Sequence, residues 1–396
     1  MLLIVFLCYF SFAQSQIPEQ NLGSNVSRLL NTLLANYDMR LRPNFNGPPV
    51  KIQCTLNIDS IGPIDEVEMK FRIDFSFRQY WDDPRIKFDE DYEKLVLNAK
   101  FLERIWQPDT FFPESYESKK QQVMVPNILL RISPEGHILL SSRVTVISKC
   151  PMDLQYFPMD VQTCQLKIEA YGYTAKDLQM EWHPEYPVEY ERKQLKLAQF
   201  ELIGVYTHGY WMNLTTGNFS GLTLSLKFQR SLIYFVIQVY VPAYLIVILS
   251  WVNFWVNRSS VPARAALAIT TVLTMMTLIG ATNSSLPRVS TIKALDVYFA
   301  VSFFYVFGAL LEFAVVCYLN KPRFMQPKRP LLESEKGGEI ETCLNGSFEN
   351  KDSDAPDSSK SYVFYVGNID YYSRIVFPVS YFIVSLIYWC TYFVLT

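Results

Sequence analysis

The chain has 396 residues, half of them hydrophobic, and a formal net charge of −2. This length accommodates a folded domain together with membrane spans, and the near-neutral charge argues against a nucleic-acid partner. No nucleophile–base constellation or phosphate-binding glycine loop occurs in the sequence, so we predict neither an enzyme nor a bound cofactor.

The N-terminus resembles a secretory signal. An apolar run from Leu2 to Leu7 precedes the small-residue sequence Ser11-Phe12-Ala13, so we expect residues 1–15 to be a removed signal peptide. The following residues 16–230 would then be extracellular. Three Asn-X-Ser/Thr sequons predict glycosylation at Asn25, Asn213 and Asn218.

The predicted extracellular domain has the period of β-strands. Apolar and polar residues alternate strictly from Val67 to Arg78 and again from Leu222 to Phe228. Only the segment from Ser27 to Tyr37 has a helical pattern, with Ser27 as its cap. We therefore predict an all-β extracellular sandwich with one N-terminal helix.

Two cysteines predict a disulfide in this domain. Cys150 and Cys164 enclose thirteen residues, and closing such a loop in a secreted domain stabilises it by roughly 3 kcal/mol. Cys54 lies in a strand-like run and is predicted to be a buried thiol. The only histidines are too scattered for a metal site, and they are His137, His183 and His208.

Four later segments are apolar enough to span a membrane, roughly residues 232–256, 265–287, 297–319 and 375–396. We assign the first three transmembrane helices to residues 231–320, a cytoplasmic linker to residues 321–372 and the fourth helix to residues 373–396. The linker is expected to be mostly disordered, with a short helix leading into the last span. The full prediction is the β-sandwich plus a four-helix transmembrane bundle, with both ends of the mature chain outside.

The second span carries a polar stripe. At 100° per residue, Ala268 and Met275 lie on one face. The opposite face, which suits water, contains Ala266, Thr270, Leu273 and Thr277. One helix cannot enclose a lumen, so several copies would have to surround a conduit. The alternative is a buried span whose hydroxyls bond their own backbone.

The charges around this span predict an anion pore. No Asp or Glu occurs between Leu202 and Leu295. Basic residues flank the stripe, namely Arg258 and Arg264 at one end and Arg288 and Lys293 at the other. Rings of Arg or Lys favour anions, although the positive-inside rule also explains the inner pair.

The sequence CPMDLQYFPMDVQTC from Cys150 to Cys164, followed by four spans, resembles the Cys-loop receptors, which are pentameric ligand-gated ion channels. The sequences Pro262-Ala263-Arg264 and ITTVLT at residues 269–274 resemble the anion-selective branch, which includes GABA, glycine, glutamate and histamine receptors. Further similar sequences are FRQYW (77–81), WQPDTFF (106–112), LPRVS (286–290) and SRIVFP (373–378).

The resemblance implies a multi-pass subunit of a homo- or hetero-pentamer in the lipid of the plasma membrane, with a postsynaptic location left open. A small-molecule neurotransmitter or amine would open a chloride pore. Selectivity would reside at Pro262, Ala263 and Arg264, and Leu273 would form a hydrophobic gate.

The resemblance also implies an agonist site between adjacent subunits, where aromatic rings hold an ammonium and an arginine holds a carboxylate. One subunit would contribute Phe111, Glu169, Tyr171, Thr216 and Phe219. Its neighbour would contribute Arg78, Arg131 and Ser141. Agonist binding would be transmitted by the disulfide loop, the turn at residues 60–65, Arg230 and residues 286–293.

Three positions depart from the family pattern. Leu214 replaces an aromatic residue on the flap that closes over the agonist, and Ser76 replaces a ring on the neighbouring strand. Gly221 stands where glycine- and glutamate-gated types have a second cysteine. The agonist therefore stays open, and so do three alternatives: an accessory subunit that needs a different partner, a proton- or metal-gated chloride channel, and a non-conducting surface protein.

Overall fold

A computed structural model describes residues 20–89, 94–192, 195–257, 260–284, 286–287, 289–319 and 357–395. The predicted signal peptide and most of the predicted cytoplasmic linker lie outside these residues. The described chain forms two compact units. The first ends at Ser231 but excludes Leu154–Met159, and the second contains Leu154–Met159 together with the chain from Leu232 onward.

The first unit contains two β-sheets. The eight-stranded sheet has the order β10-β1-β2-β7-β6-β3, with β5 paired to β7 and β9 to β1. Its strands are β1 (Val50–Asp65), β2 (Lys70–Asp82), β3 (Leu95–Leu97), β5 (Ser115–Lys120), β6 (Ile128–Ile132), β7 (His137–Lys149), β9 (Leu178–Trp182) and β10 (Val188–Tyr190). The other sheet has the order β11-β12-β8-β4. Its strands are β4 (Thr110–Phe111), β8 (Val161–Ala170), β11 (Phe200–Leu214) and β12 (Gly217–Arg230).

Alternating hydrophobicity accounts for the core of this sandwich. Phe71, Ile73 and Phe75 of β2 are fully buried, because successive side chains of a strand point to opposite faces. The strand is shorter than the sequence pattern suggests. Val67 and Met69 lie in the turn before β2, where Met69 has a positive φ of 50° and Val67 is exposed.

The helices of this unit are α1 (Gln20–Ala35), the short α2 (Ala99–Leu102) and a 3₁₀ turn at Pro84–Ile86. The prediction that α1 starts at Ser27 is wrong, since the helix begins at Gln20 and Ser27 lies inside it. The N-terminal helix itself and the two-sheet architecture are confirmed.

The predicted disulfide between Cys150 and Cys164 is confirmed. Cys150 directly follows β7 and Cys164 lies within β8, so the bond joins the two sheets. Cys54 is buried in β1, as predicted, and burial raises the pKa of its thiol.

Four helical segments of the second unit are long and apolar enough to cross a membrane. The first comprises α3 (Leu232–Phe235), a π-helical turn (Val236–Tyr240) and α4 (Val241–Val252). The wide turn ends two residues before Pro242, which has no N–H to donate to the helical hydrogen-bond ladder. The other helices are α5 (Val261–Ser284), α6 (Ala294–Leu319) and α7 (Asp357–Leu395).

Helix α7 differs from the prediction at its start. It begins at Asp357 and is continuous, so the expected leading helix and the last span are one element. Buried hydroxyls connect it to the other helices, with 2.9 Å between the oxygens of Tyr388 and Tyr240 and 3.1 Å between those of Tyr381 and Ser302. Such contacts satisfy polar groups inside an apolar bundle.

Candidate functional site

Four residues form a row across the four-stranded sheet. Tyr210 of β11 pairs with Gly221 of β12, Gly221 pairs with Glu169 of β8, and Glu169 pairs with Phe111 of β4. Directly paired residues of neighbouring strands project from the same face of a sheet. The register therefore brings together Phe111 and Glu169, which are 58 residues apart in the chain by subtraction of their numbers.

An open aromatic corner lies beside this row. The rings of Phe111 and Tyr171 are 5.3 Å apart between centroids and nearly perpendicular, at 89°. Tyr171 is 75% exposed, whereas Phe111 is partly buried. The negative faces of two such rings can attract a cation from solution.

The carboxylate in this row is enclosed and hydrogen-bonded. Glu169 is 4% exposed, and the hydroxyl of Tyr210 donates to its Oε1 at 2.5 Å. Burial, together with the hydrogen bond and charge of Glu169, raises the pKa of Tyr210. The sequence-based site lacks Tyr210. Its position opposite Gly221 would have indicated Tyr210, but that pairing is known only once the strand register is known.

The proposed flap is the hairpin of β11 and β12. Thr215 and Thr216 form its two-residue turn, and Thr216 is exposed. Phe219 is buried and pairs with Met212, so its ring packs on the sheet. Asn213 and Asn218 are an exposed cross-strand pair, while the side chain of Asn25 lies outside the described residues.

The residues expected from a neighbouring subunit lie on the other sheet. Arg78 of β2 pairs directly with Ser141 of β7, and Arg131 lies on the adjacent β6. The guanidinium of Arg78 binds the carboxylate of Glu189 at 2.7 Å. One chain therefore holds the two halves of the expected site on separate sheets.

Helix α5 presents the predicted polar stripe outward in the single chain. Leu273 is 62% exposed, whereas Met275 on the opposite face is 0% exposed. The other stripe residues are also exposed: Ala266, Thr270 and Thr277. The hydroxyls of Thr270 and Thr277 donate to backbone carbonyls of the preceding turn, each at 2.8 Å. The threonine hydroxyls can therefore bond their own helix backbone while the side chains face outward.

Arg264 does not face outward with the polar stripe of α5 in the single chain. The side chain is 1% exposed, and its guanidinium donates to the carbonyl oxygen of Asn253 and to Asp370, both at 3.0 Å. Glu312 lies 3.7 Å away. A charge in an apolar bundle pairs internally because leaving it unpaired costs several kcal/mol.

Lys293, expected at the other end of the stripe, is also buried in the single chain. Arg258 and Arg288 lie outside the described residues. Pro262 and Ala263, at the start of α5, are exposed.

A buried arginine closes the first unit at its C-terminal end. Arg230 donates to both oxygens of Asp160, at 2.7 and 3.0 Å, and pairs with Glu66. Its guanidinium also lies 4.5 Å from the ring centroid of Phe200. Asp160 belongs to the disulfide loop and Glu66 to the β1–β2 turn, so one side chain joins both loops to the last strand.

The tip of the disulfide loop, Leu154–Met159, packs within the helical unit. The carbonyls of Gln155 and Phe157 accept hydrogen bonds from Ala294 and Leu295, at 2.9 and 3.2 Å, at the start of α6. The Phe157 ring contacts that of Phe235 at 4.9 Å between centroids. The loop is therefore anchored to two of the four helical segments.

Comparison with protein families agrees with this architecture. The family described as the neurotransmitter-gated ion-channel ligand binding domain matches residues 26–238, and the neurotransmitter-gated ion-channel transmembrane region matches residues 239–333. The chain belongs to the neurotransmitter-gated ion channels, the Cys-loop receptor family. It is accordingly a plasma-membrane channel subunit that assembles into an oligomer, responds to a small molecule and is not an enzyme.

Proposed function

We propose that the chain is a subunit of a transmitter-gated chloride channel, in which an agonist bound between subunits opens a central anion pore. The subunits form a homo- or hetero-pentamer surrounded by membrane lipid, and the C-terminus is extracellular. The observation that carries the proposal is the outward face of α5, which combines exposed hydroxyls with an exposed leucine.

Anion selectivity is supported by what surrounds this face. The chain has no Asp or Glu between Leu202 and Leu295, so a ring of α5 helices offers no carboxylate to a cation. Pro262 and Ala263 are exposed where α5 begins, and a helix N-terminus carries partial positive charge. Because Arg264 is buried, we assign selectivity to this neutral helix start rather than to a ring of Arg264 side chains.

The test is a measured reversal potential. Deleting Pro262 and replacing Ala263→Glu adds a ring of carboxylates at the helix start, so the reversal potential should move from the chloride value toward the cation value. The matched control deletes Pro262 with Ala263→Gln, which has the same shape without the charge. A chloride reversal potential in both variants would place selectivity elsewhere.

For the agonist, the aromatic corner of Phe111 and Tyr171, together with the carboxylate of Glu169, favours an ammonium group. Two rings and a buried carboxylate supply cation–π attraction and a charge-assisted hydrogen bond. Applying GABA, glycine, glutamate, histamine and other amines to voltage-clamped cells that express the chain tests this assignment. Glu169→Gln should strongly weaken the response to an amine, and an unchanged response would remove the corner from the agonist site.

An accessory role is the second candidate. Arg78 is engaged by Glu189 of its own chain, and the exposed flap residue Leu214 supplies no ring. Both features favour a subunit whose site is completed by a different partner. If the chain reaches the surface but stays silent to every amine, acid and zinc, co-expression with related subunits becomes the deciding test.

Gating by a metal has less support from the structure. Within the described residues, no group of three or more His, Cys, Asp or Glu side chains could hold a metal ion. We therefore propose a chloride channel that is opened by a small-molecule transmitter and located in a postsynaptic membrane.

A further inference from the structure

Tyr210 lies over a position that only glycine can occupy without displacement of its ring. A Cβ atom built on Gly221 would be 2.5 Å from Cζ of Tyr210 and 2.8 Å from its Cε1. Such distances are far inside van der Waals contact. The glycine therefore allows the phenol ring to cross β12.

Crossing β12 lets one side chain connect the hairpin to the strand that holds the carboxylate. Tyr210 lies on β11 and Glu169 on β8, with Gly221 between them in the row. The phenol spans this gap and donates to Glu169 at 2.5 Å. A nearly buried carboxylate requires such a donor, because an ion without a partner is costly inside a protein.

We propose that Tyr210 is the positioning residue of Glu169. Its phenol, lying across Gly221, holds the carboxylate in the row beside Phe111 and fastens the β11–β12 hairpin to β8. This contact sets the affinity of the site for an ammonium group. The inference rests on the proposed agonist site and adds to it a residue from outside the expected set.

The first experiment uses the full chain in voltage-clamped cells, with GABA, glycine and histamine as probes. Tyr210→Phe keeps the ring but removes the donor, so the half-maximal concentration of an active probe should rise roughly tenfold. Gly221→Ala displaces the ring and should have the same effect. Tyr206→Phe, on the same strand, is the matched control and should leave the response unchanged.

A double-mutant cycle separates positioning from a general role in hairpin stability. When Glu169→Gln is already present, adding Tyr210→Phe should change the half-maximal concentration little, because the contact is already altered. An equal loss in both backgrounds would overturn the proposal, and so would a wild-type response in Tyr210→Phe.

A second measurement needs no agonist. Tetranitromethane nitrates phenolates, so purified full-length chain should be nitrated more slowly at Tyr210 than at the exposed Tyr206, as read by mass spectrometry. Glu169→Gln should accelerate nitration of Tyr210 while leaving Tyr206 unchanged. If no probe evokes current but nitration behaves in this way, the agonist assignment fails and the contact stands. Equal nitration of Tyr210 in both proteins overturns the contact.

Discussion

Each unit of the chain contains a buried arginine next to two carboxylates, Arg230 in the β unit and Arg264 in the helical unit, and the two arginines differ in their hydrogen bonds. In the β unit, Arg230 makes two hydrogen bonds to Asp160, at 2.7 and 3.0 Å. In the helical unit, Arg264 makes a single hydrogen bond to Asp370, at 3.0 Å, and a second to a backbone carbonyl. Arg230 also donates a hydrogen bond to Glu66, so it is hydrogen-bonded to the carboxylates of two residues, whereas the hydrogen-bonded carboxylate of Arg264 is that of Asp370.

The further carboxylates reinforce this difference. Glu66 pairs with Arg230 and retains some exposure, so water can compensate for a lost contact in the β unit. Glu312 lies 3.7 Å from Arg264 and is buried among membrane-spanning helices, where water is excluded. Damage to the helical cluster should therefore cost more than damage to the β cluster.

The largest effect is expected for Asp370→Leu. It leaves Arg264 buried without its hydrogen-bonded partner, which typically costs about 3–5 kcal/mol. Surface biotinylation should detect little protein, and the thermal midpoint of the purified oligomer should fall sharply. Asp370→Glu is the control, since it keeps the charge and should lose less. A leucine variant that is expressed and melts like the wild type would refute the importance of this pair.

The placement of Arg264 shows where sequence reasoning stops. Its position after Pro262 and Ala263 predicted a residue at the helix start, which is where it lies, but its main partner is 106 residues away in the chain. No local sequence pattern predicts which helix packs against the side of α5 that carries Arg264. The four spans and the alternation within β2 were predictable because they depend on neighbouring residues alone.

The same dependence on distant contacts explains which residues of the candidate site could be predicted from the sequence. Similarity to the family indicated Phe111 and Glu169 individually, whereas Tyr210 becomes visible only when β11, β12 and β8 are aligned in register. The sequence showed only that Gly221 stands where some family members have a cysteine. Its physical role, leaving room for the Tyr210 ring, required the position of that ring.

A smaller loss is expected in the β unit for Arg230→Gln. The substitution removes the charge that holds Asp160 and Glu66, and we expect a cost of about 2–3 kcal/mol because Glu66 can be partly solvated. Thermal unfolding of the purified chain measures this loss. Arg230→Lys keeps the charge without the two-pronged geometry and should be intermediate. A cost equal to that of Asp370→Leu would remove the distinction between the units.

Substitutions on the two faces of α5 should have different effects, because Arg264 fixes the orientation of this helix. Leu273→Ser changes an exposed position, so it should leave surface expression intact and lower the half-maximal agonist concentration roughly tenfold, or produce spontaneous current. Voltage clamp measures both. Met275→Ser, on the buried face, should instead reduce surface protein by leaving a cavity. Unchanged gating in the Leu273 variant would exclude it as the gate.

The smallest effect on stability should come from a third arginine, which is partly exposed. Arg78 pairs with Glu189 at the surface, and such pairs contribute about 0–1 kcal/mol. Glu189→Gln should therefore barely change the thermal midpoint. It should nevertheless free Arg78 for an agonist carboxylate, lowering the half-maximal concentration of GABA or glycine but not of histamine. Asp59→Asn, which weakens the partly exposed pair with Arg143, is the control and should alter neither. An equal shift for histamine would mean that Arg78 does not read the carboxylate.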